Sequence, residues 1–237
     1  MAQDYDKIVK EVISKVLYTL MQSVLGEKIE NSEILYPELQ YTFERKSDFV
    51  FKTNTKTNKP VVYHLEFQTS NDDSMHLRML VYLALLYNTH QVDIRQIVFY
   101  INEDKLTMKN KIEIGESNFS YSIIDMKKIS YQKFMKSNIP EEVLLATLCN
   151  FEGKEKALAL EEIFDKICSI TEADLHRLKC IRYLQIFSKL RKSENIVKNL
   201  ILKNKIDMLN YEEIATSDIL FQAGEKIGEA RGEKIGE

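Results

Sequence analysis

The chain has 237 residues, 44% of them hydrophobic and 29% charged, with a formal net charge of −3. That balance excludes an overall basic field, so any nucleic-acid contact has to come from local Lys/Arg patches. No stretch approaches the run of about 18 apolar residues that a membrane span needs, and the opening MAQDYDKIVKEV is acidic where a secretory leader is basic. The expectation is a cytoplasmic protein with no membrane contact, in which Cys149, Cys168 and Cys180 are buried free thiols.

In chain order, residues 4–25 read as an amphipathic helix. Ile8, Val12, Ile13, Val16, Leu17, Leu20, Met21 and Val24 recur at three- and four-residue spacing, and Gly26 follows as a stop. Three strands are predicted next, Leu39–Phe43, Asp48–Thr53 and Val61–Thr69, separated by polar loops. Asn71 to Ser74 supplies helix N-cap chemistry, and MHLRMLVYLALLYN makes an apolar helix up to about Asn88. Arg95–Asn102 reads as a strand, and Phe119–Asp125 as a further edge strand. The order helix, three strands, helix, strand describes an α/β core over residues 1–135.

From Pro140 the strand signal disappears. Helices are predicted near 140–150, 154–168, 172–191 and 194–208, with Thr171 and Asp174 resembling a capping box. Residues 136–220 therefore read as a helical annex and 221–237 as a separate tail. In the tail, GEKIGEARGEKIGE places Gly at 224, 228, 232 and 236. On a helix such a stripe admits a close partner, although each Gly costs about 1 kcal/mol relative to Ala. The repeat runs to the last residue, which leads to the expectation that the natural protein continues past Glu237.

The chemistry concentrates in SDFVFKTNTKTNKPVVYHLEFQ. Side chains alternate faces along a strand, so Glu66 and Gln68 share one face while Leu65 and Phe67 take the other. If the two runs pair through Thr53–Lys59, Asp48 approaches the Glu66/Gln68 face. Two carboxylates and an amide at one sheet end suit a hard divalent cation, hence metal-assisted hydrolysis. The bland alternatives stay open: Asp48 as a strand-start residue, Glu66 on a solvated sheet face, His64 simply hydrogen-bonded to an acid, and Arg78 ion-paired with Glu66 or Asp48. Tyr82, one turn beyond Arg78, packs in that reading. The Lys-rich stretches read as solvated faces or as phosphate-contacting surfaces, and the four histidines and three cysteines show no zinc spacing.

DKIVKE at 6–11, YPELQYTFERKSDFVFK at 36–52, YHLEFQ at 63–68 and HLRMLVYLALLY at 76–87 resemble, in this order, the PD-(D/E)XK nuclease superfamily. Within it the chain is similar to the Rpn-type recombination-promoting nucleases and transposase-like proteins, over essentially its whole length. The resemblance implies a restriction-endonuclease-like α/β core followed by helices, and a metal-dependent DNA endonuclease linked to recombination or mobile elements. It makes Asp48, Glu66 and the Phe67 carbonyl ligands of Mg²⁺ (or Mn²⁺). Gln68 stands where the superfamily has a water-orienting Lys, and Ser47 stands in place of the Pro. Glu11, with Asp6 second, is the assisting acid of the first helix, and His64, Arg78 and Tyr82 are candidate substrate contacts. DNA is the implied partner, with a homodimer formed through the helical C-terminal region. Gln68 supplies no positive charge, so the alternative is a catalytically weak nuclease fold acting as a DNA-binding or protein-interaction module; a helical scaffold is the third reading.

Overall fold

The computed structural model describes residues 2–26, 33–35, 47–55 and 57–206. The N-terminal helix α1 spans Ala2–Leu25, and Gly26, at φ 68°, ends it by donating its N–H to the Gln22 carbonyl at 2.9 Å. This left-handed conformation suits a residue with no Cβ. A short strand that sequence periodicity did not indicate, β1 (Glu33–Leu35), pairs antiparallel with β2 (Phe49–Asn54), which pairs antiparallel with β3 (Pro60–Gln68). The predicted strand Leu39–Phe43 and the Gly-striped tail lie outside the described residues.

Helix α2 (Met75–His90) carries the chain from β3 over to β4 (Asp93–Tyr100), which lies parallel to β3. Ser74 is the N-cap residue of α2 but makes no side-chain capping bond; the Asp72 carboxylate instead accepts from the Ser74 N–H at 2.8 Å.

The single strand expected at Phe119–Asp125 is two. Ser117–Ser120 (β6) forms a hairpin with β5 (Lys111–Ile114) through a two-residue turn led by Gly115 at φ 58°. Ser122–Asp125 (β7) joins the main sheet parallel to β4. Tyr121 sits between them, its N–H on the Asn110 carbonyl at 3.0 Å and its hydroxyl donating to the Lys109 carbonyl at 2.6 Å, and this anchor turns the chain from one sheet to the other. The result is a five-stranded mixed sheet in the order β1-β2-β3-β4-β7, with the small hairpin beside it.

The rest is helical: α3 (Gln132–Met135), α4 (Pro140–Leu145), α5 (Lys156–Ile170), α6 (Asp174–Leu190) and α7 (Glu194–Lys203). Pro140 opens α4 at its first turn, where a missing N–H costs nothing. The expected capping box is absent. Ala173 is the N-cap of α6, Thr171 donates its hydroxyl to the Ile167 carbonyl at 2.7 Å, and Asp174 pairs with Arg177 at 3.0 Å. The thiols are free, with Cys149 and Cys180 buried and Cys168 half-buried. Among the described residues no helix is long and apolar enough to cross a membrane.

Strand β3 is buried along nearly its whole length, and its two faces serve different purposes. Tyr63, Leu65 and Phe67 join Phe51 and Phe99, the apolar stripe of α1 and the helices from α3 to α7 in one continuous hydrophobic cluster. On the opposite face Val62 meets Val50 and Leu86, while Met75, Met79 and Tyr82 of α2 pack on Val98 and Tyr100. His64 and Glu66 lie on this α2 side of the sheet, placed there by alternation.

Two ion pairs clasp α1 to the helical part: Glu11 with Lys179 at 2.6 Å and Lys15 with Glu141 at 2.8 Å. Burial pushes both carboxyls up. Hydrogen bonds and charge from Lys179 and Tyr183 on Glu11, and from Lys15 and His176 on Glu141, more than offset it and hold both below the ordinary value of 4.5. A carboxyl depressed in the folded state adds stability that is fully present above about pH 4.5 and lost as the pH falls through the folded value. Acid unfolding of a Glu11→Gln, Glu141→Gln double variant should therefore show a shallower loss of stability below about pH 4.5 than the parent; equal slopes in urea melts across that range would refute it.

Candidate metal and catalytic site

The register Phe49↔Leu65 and Val50↔His64 sets Asp48 against the Glu66 end of β3. Asp48 accepts the Phe67 N–H on Oδ2 at 2.8 Å, and its own N–H points at Glu66 Oε1 at 3.4 Å. Both acids thus meet at the carboxyl end of β3, the end at which ligands are received in sheets of parallel strands.

Glu66 is 4% exposed, a burial that a carboxylate tolerates only with partners. It has them on both oxygens. His64 Nε2 lies 3.0 Å from Oε1, and Arg78 Nη2 lies 3.3 Å from Oε2 while Nη1 bridges to Asp72 at 3.1 Å. Behind His64, Gln96 Nε2 donates to the Met79 carbonyl at 2.8 Å and sits 3.0 Å from His64 Nδ1. Those contacts fix the polarity of the chain. The Gln96 amide nitrogen gives both its hydrogens, one to Met79 and one to His64 Nδ1. The histidine proton must then be on Nε2 and is donated to Glu66.

His64 is wholly buried, with Tyr82 edge-on to its ring at 4.8 Å and 80°, and Tyr82 is itself 5% exposed. His64 holds Glu66 and Tyr82 packs against the His64 ring, whereas Arg78, the third candidate substrate contact, has a side chain that is 17% exposed. The Gln68 side chain, half-buried at the strand end, makes no hydrogen bond among the described residues, and its carbonyl accepts from the Ile101 N–H at 3.0 Å. The loops beyond are tied down: Asn102 donates to the Thr69 carbonyl, and Asn71 is held between the Lys105 carbonyl and the Thr107 N–H.

Glu11 stands apart. Its partners are Lys179 and Tyr183 on α6, with no contact to Asp48 or Glu66, and the Asp6 side chain lies outside the described residues. Gln96 and Asp72 are members of the site that sequence reading missed. Gln96 sits inside the run QIVFYI as a strand residue like any other, and only its facing position across from His64 gives it a role.

In kind, the donors suit a hard divalent cation, which takes carboxylate and carbonyl oxygens and keeps several waters. A carboxylate offers about four acceptor positions, and the contacts of Glu66 with His64, Arg78 and the Asp48 N–H occupy three, leaving it able to accept one more. A cation there would compete with Arg78 for the Glu66 charge. A different group lies 35 residues apart in sequence on the helical side, where Glu141, His176 and Cys180 bring one ligand atom each within 4.8 Å of one another. No family model, no curated protein and no solved structure matches the chain.

Proposed function

We propose that this protein is a metal-dependent DNA endonuclease of PD-(D/E)XK architecture, with Asp48 and Glu66 as its acidic centre. The observation that carries this reading is the meeting of the two carboxylates at the end of β3, one fixed by the Phe67 amide and the other by His64 and Arg78. The order of α1, the β2–β3 hairpin, the α2 crossover and β4 supports the same reading. Asp48, Glu66 and the Phe67 carbonyl are the residues that would hold Mg²⁺ or Mn²⁺. A cation bound there supplies Lewis acidity toward water and toward a phosphoryl oxygen. Gln68 orients water through its amide without moving a proton. Among the described residues Arg78 is the arginine or lysine in contact with Glu66, and it can exchange the carboxylate for a phosphate oxygen.

A second reading, a nuclease fold that binds DNA without turnover, is favoured by one observation. Arg78 already neutralises Glu66, so the carboxylate does not require a cation. Nicking of supercoiled plasmid in Mg²⁺ or Mn²⁺ separates the two. The first reading expects nicking that falls by at least about 100-fold in both Asp48→Ala and Glu66→Ala, the scale of losing a principal electrostatic group. Salt-sensitive DNA binding with no metal-dependent nicking by the parent chain would establish the second.

A further inference from the structure

Helix α6 presents His176 and Cys180 one turn apart, four residues being the spacing that stacks side chains on one helical face. The first turn of α4 brings Glu141 against them: His176 Nε2 lies 3.2 Å from Glu141 Oε1, and the three ligand atoms lie within 4.8 Å of one another. In a tetrahedral zinc centre, bonds of about 2.0–2.3 Å separate neighbouring donors by about 3.3–3.6 Å. The Glu141–His176 pair is already close to that spacing, and the Cys180 ligand atom lies within 4.8 Å of both. The thiol and the carboxylate are buried while the His176 side chain is 40% exposed, so the group opens to water on the histidine side.

We propose that Glu141, His176 and Cys180 form a zinc site at the junction of α1, α4 and α6, with Lys15 as the counter-charge that the ion displaces. The donor set decides the class of metal. One oxygen, one imidazole nitrogen and one sulfur match Zn²⁺, whereas Mg²⁺ takes oxygen alone. Three protein ligands leave a fourth position open, on the side where Lys15 Nζ now sits 2.8 Å from Glu141 Oε1.

The exchange balances in charge. Before it, the Glu141 carboxylate is matched by the Lys15 ammonium, and Cys180 is a neutral thiol. After it, Zn²⁺ faces one carboxylate and one thiolate, the Cys180 proton has gone to solvent, and Lys15 has swung outward. Lys15 is free to do so: its side chain is 41% exposed on a flexible four-carbon stem. A coordinating thiol is deprotonated outright, so Cys180 becomes a ligand by losing its proton to solvent as the metal binds. The site is independent of the acidic centre at Asp48 and Glu66.

Cobalt titration of the full-length chain tests this, because Co²⁺ in a zinc site bound by sulfur gives a thiolate charge-transfer band in the near ultraviolet and Mg²⁺ sites do not. The expected result is a band that saturates at one Co²⁺ per chain, is bleached by Zn²⁺ and is lost in Cys180→Ser. His176→Gln, at a half-exposed position where folding is not at stake, should weaken Zn²⁺ binding by on the order of 100-fold, since changes outside the ligand shell alone cost about 10–100-fold. Lys15→Met should tighten it. No thiolate band from the parent chain, a band that persists in Cys180→Ser, or unchanged affinity in His176→Gln would overturn the proposal.

Discussion

Glu66→Ala is expected to lower the thermal midpoint by on the order of 6–12 °C, whatever it does to activity. Removing one member of a buried ion pair costs about 3–5 kcal/mol, because the survivor remains as an uncompensated charge. The partial exposure of Arg78 puts this case at the low end, and about 2–4 °C per kcal/mol applies to a chain of this size. The loss would not be confined to Arg78. Its Nε already lacks a hydrogen-bond partner among the described residues, and the His64 Nε2–H would be left unpaired in a fully buried position. Glu66→Gln should rescue little. A carboxylate accepts on both sides, from His64 and from Arg78, while an amide accepts on one side only and sets its own N–H groups against a donor on the other. The double variant Glu66→Leu, Arg78→Met, which removes both charges of the pair and takes the Arg78 contact only from the part-exposed Asp72, should recover much of the midpoint. Differential scanning calorimetry on the parent, Glu66→Leu, Arg78→Met and the double variant decides it: additive losses in the double variant would mean that Glu66 and Arg78 do not act as a pair.

A fragment of residues 1–135 is expected not to fold as a soluble monomer, although sequence composition divides the chain there. The back of the sheet, the stripe of α1 and the helices beyond residue 136 share a single hydrophobic cluster. Uncovering even five large side chains of such a cluster, at about 1.5–3 kcal/mol each, costs about 8–15 kcal/mol. That matches the entire stability of a typical domain. The fragment would also lose Lys179 and Glu141, the partners of Glu11 and Lys15 on α1. Sedimentation and near-ultraviolet circular dichroism of the purified fragment check this. A monodisperse monomer with a cooperative melt would show that the first 135 residues hold a core of their own.

Much of the frame was legible because it is periodic. The three- and four-residue stripe of α1, the apolar runs of β2, β3 and β4, and the loss of strand signal after Pro140 each predict the element that forms. Alternation alone set His64 and Glu66 on one face and Leu65 and Phe67 on the other, as the structure has them. What failed was whatever depends on partners far away in sequence. The three residues of β1 are too few to show a period, and the split at Tyr121 comes from a hydroxyl finding the Lys109 carbonyl. His64 has the same neighbours in sequence whether it is exposed or buried; the packing of α2, with Tyr82 edge-on to its ring, buries it, and no local pattern encodes that. Glu11 fits the register of a helix acid near a sheet end, yet Lys179 and Tyr183 claim it from the other direction. His176 and Cys180 carry a spacing that a helix makes meaningful, but the third ligand, Glu141, lies on another helix.

The clasp of α1 has a consequence for synthesis. Lys15 leaves the ribosome 126 residues ahead of Glu141, an interval of roughly 6–25 s at about 5–20 residues per second. Throughout that time Val12, Ile13, Val16, Leu17, Leu20 and Met21 are on a nascent helix whose final cover has not yet been translated. The newborn chain therefore presents this apolar stripe, the first of the cluster to be made, for longer than that of any later helix in it.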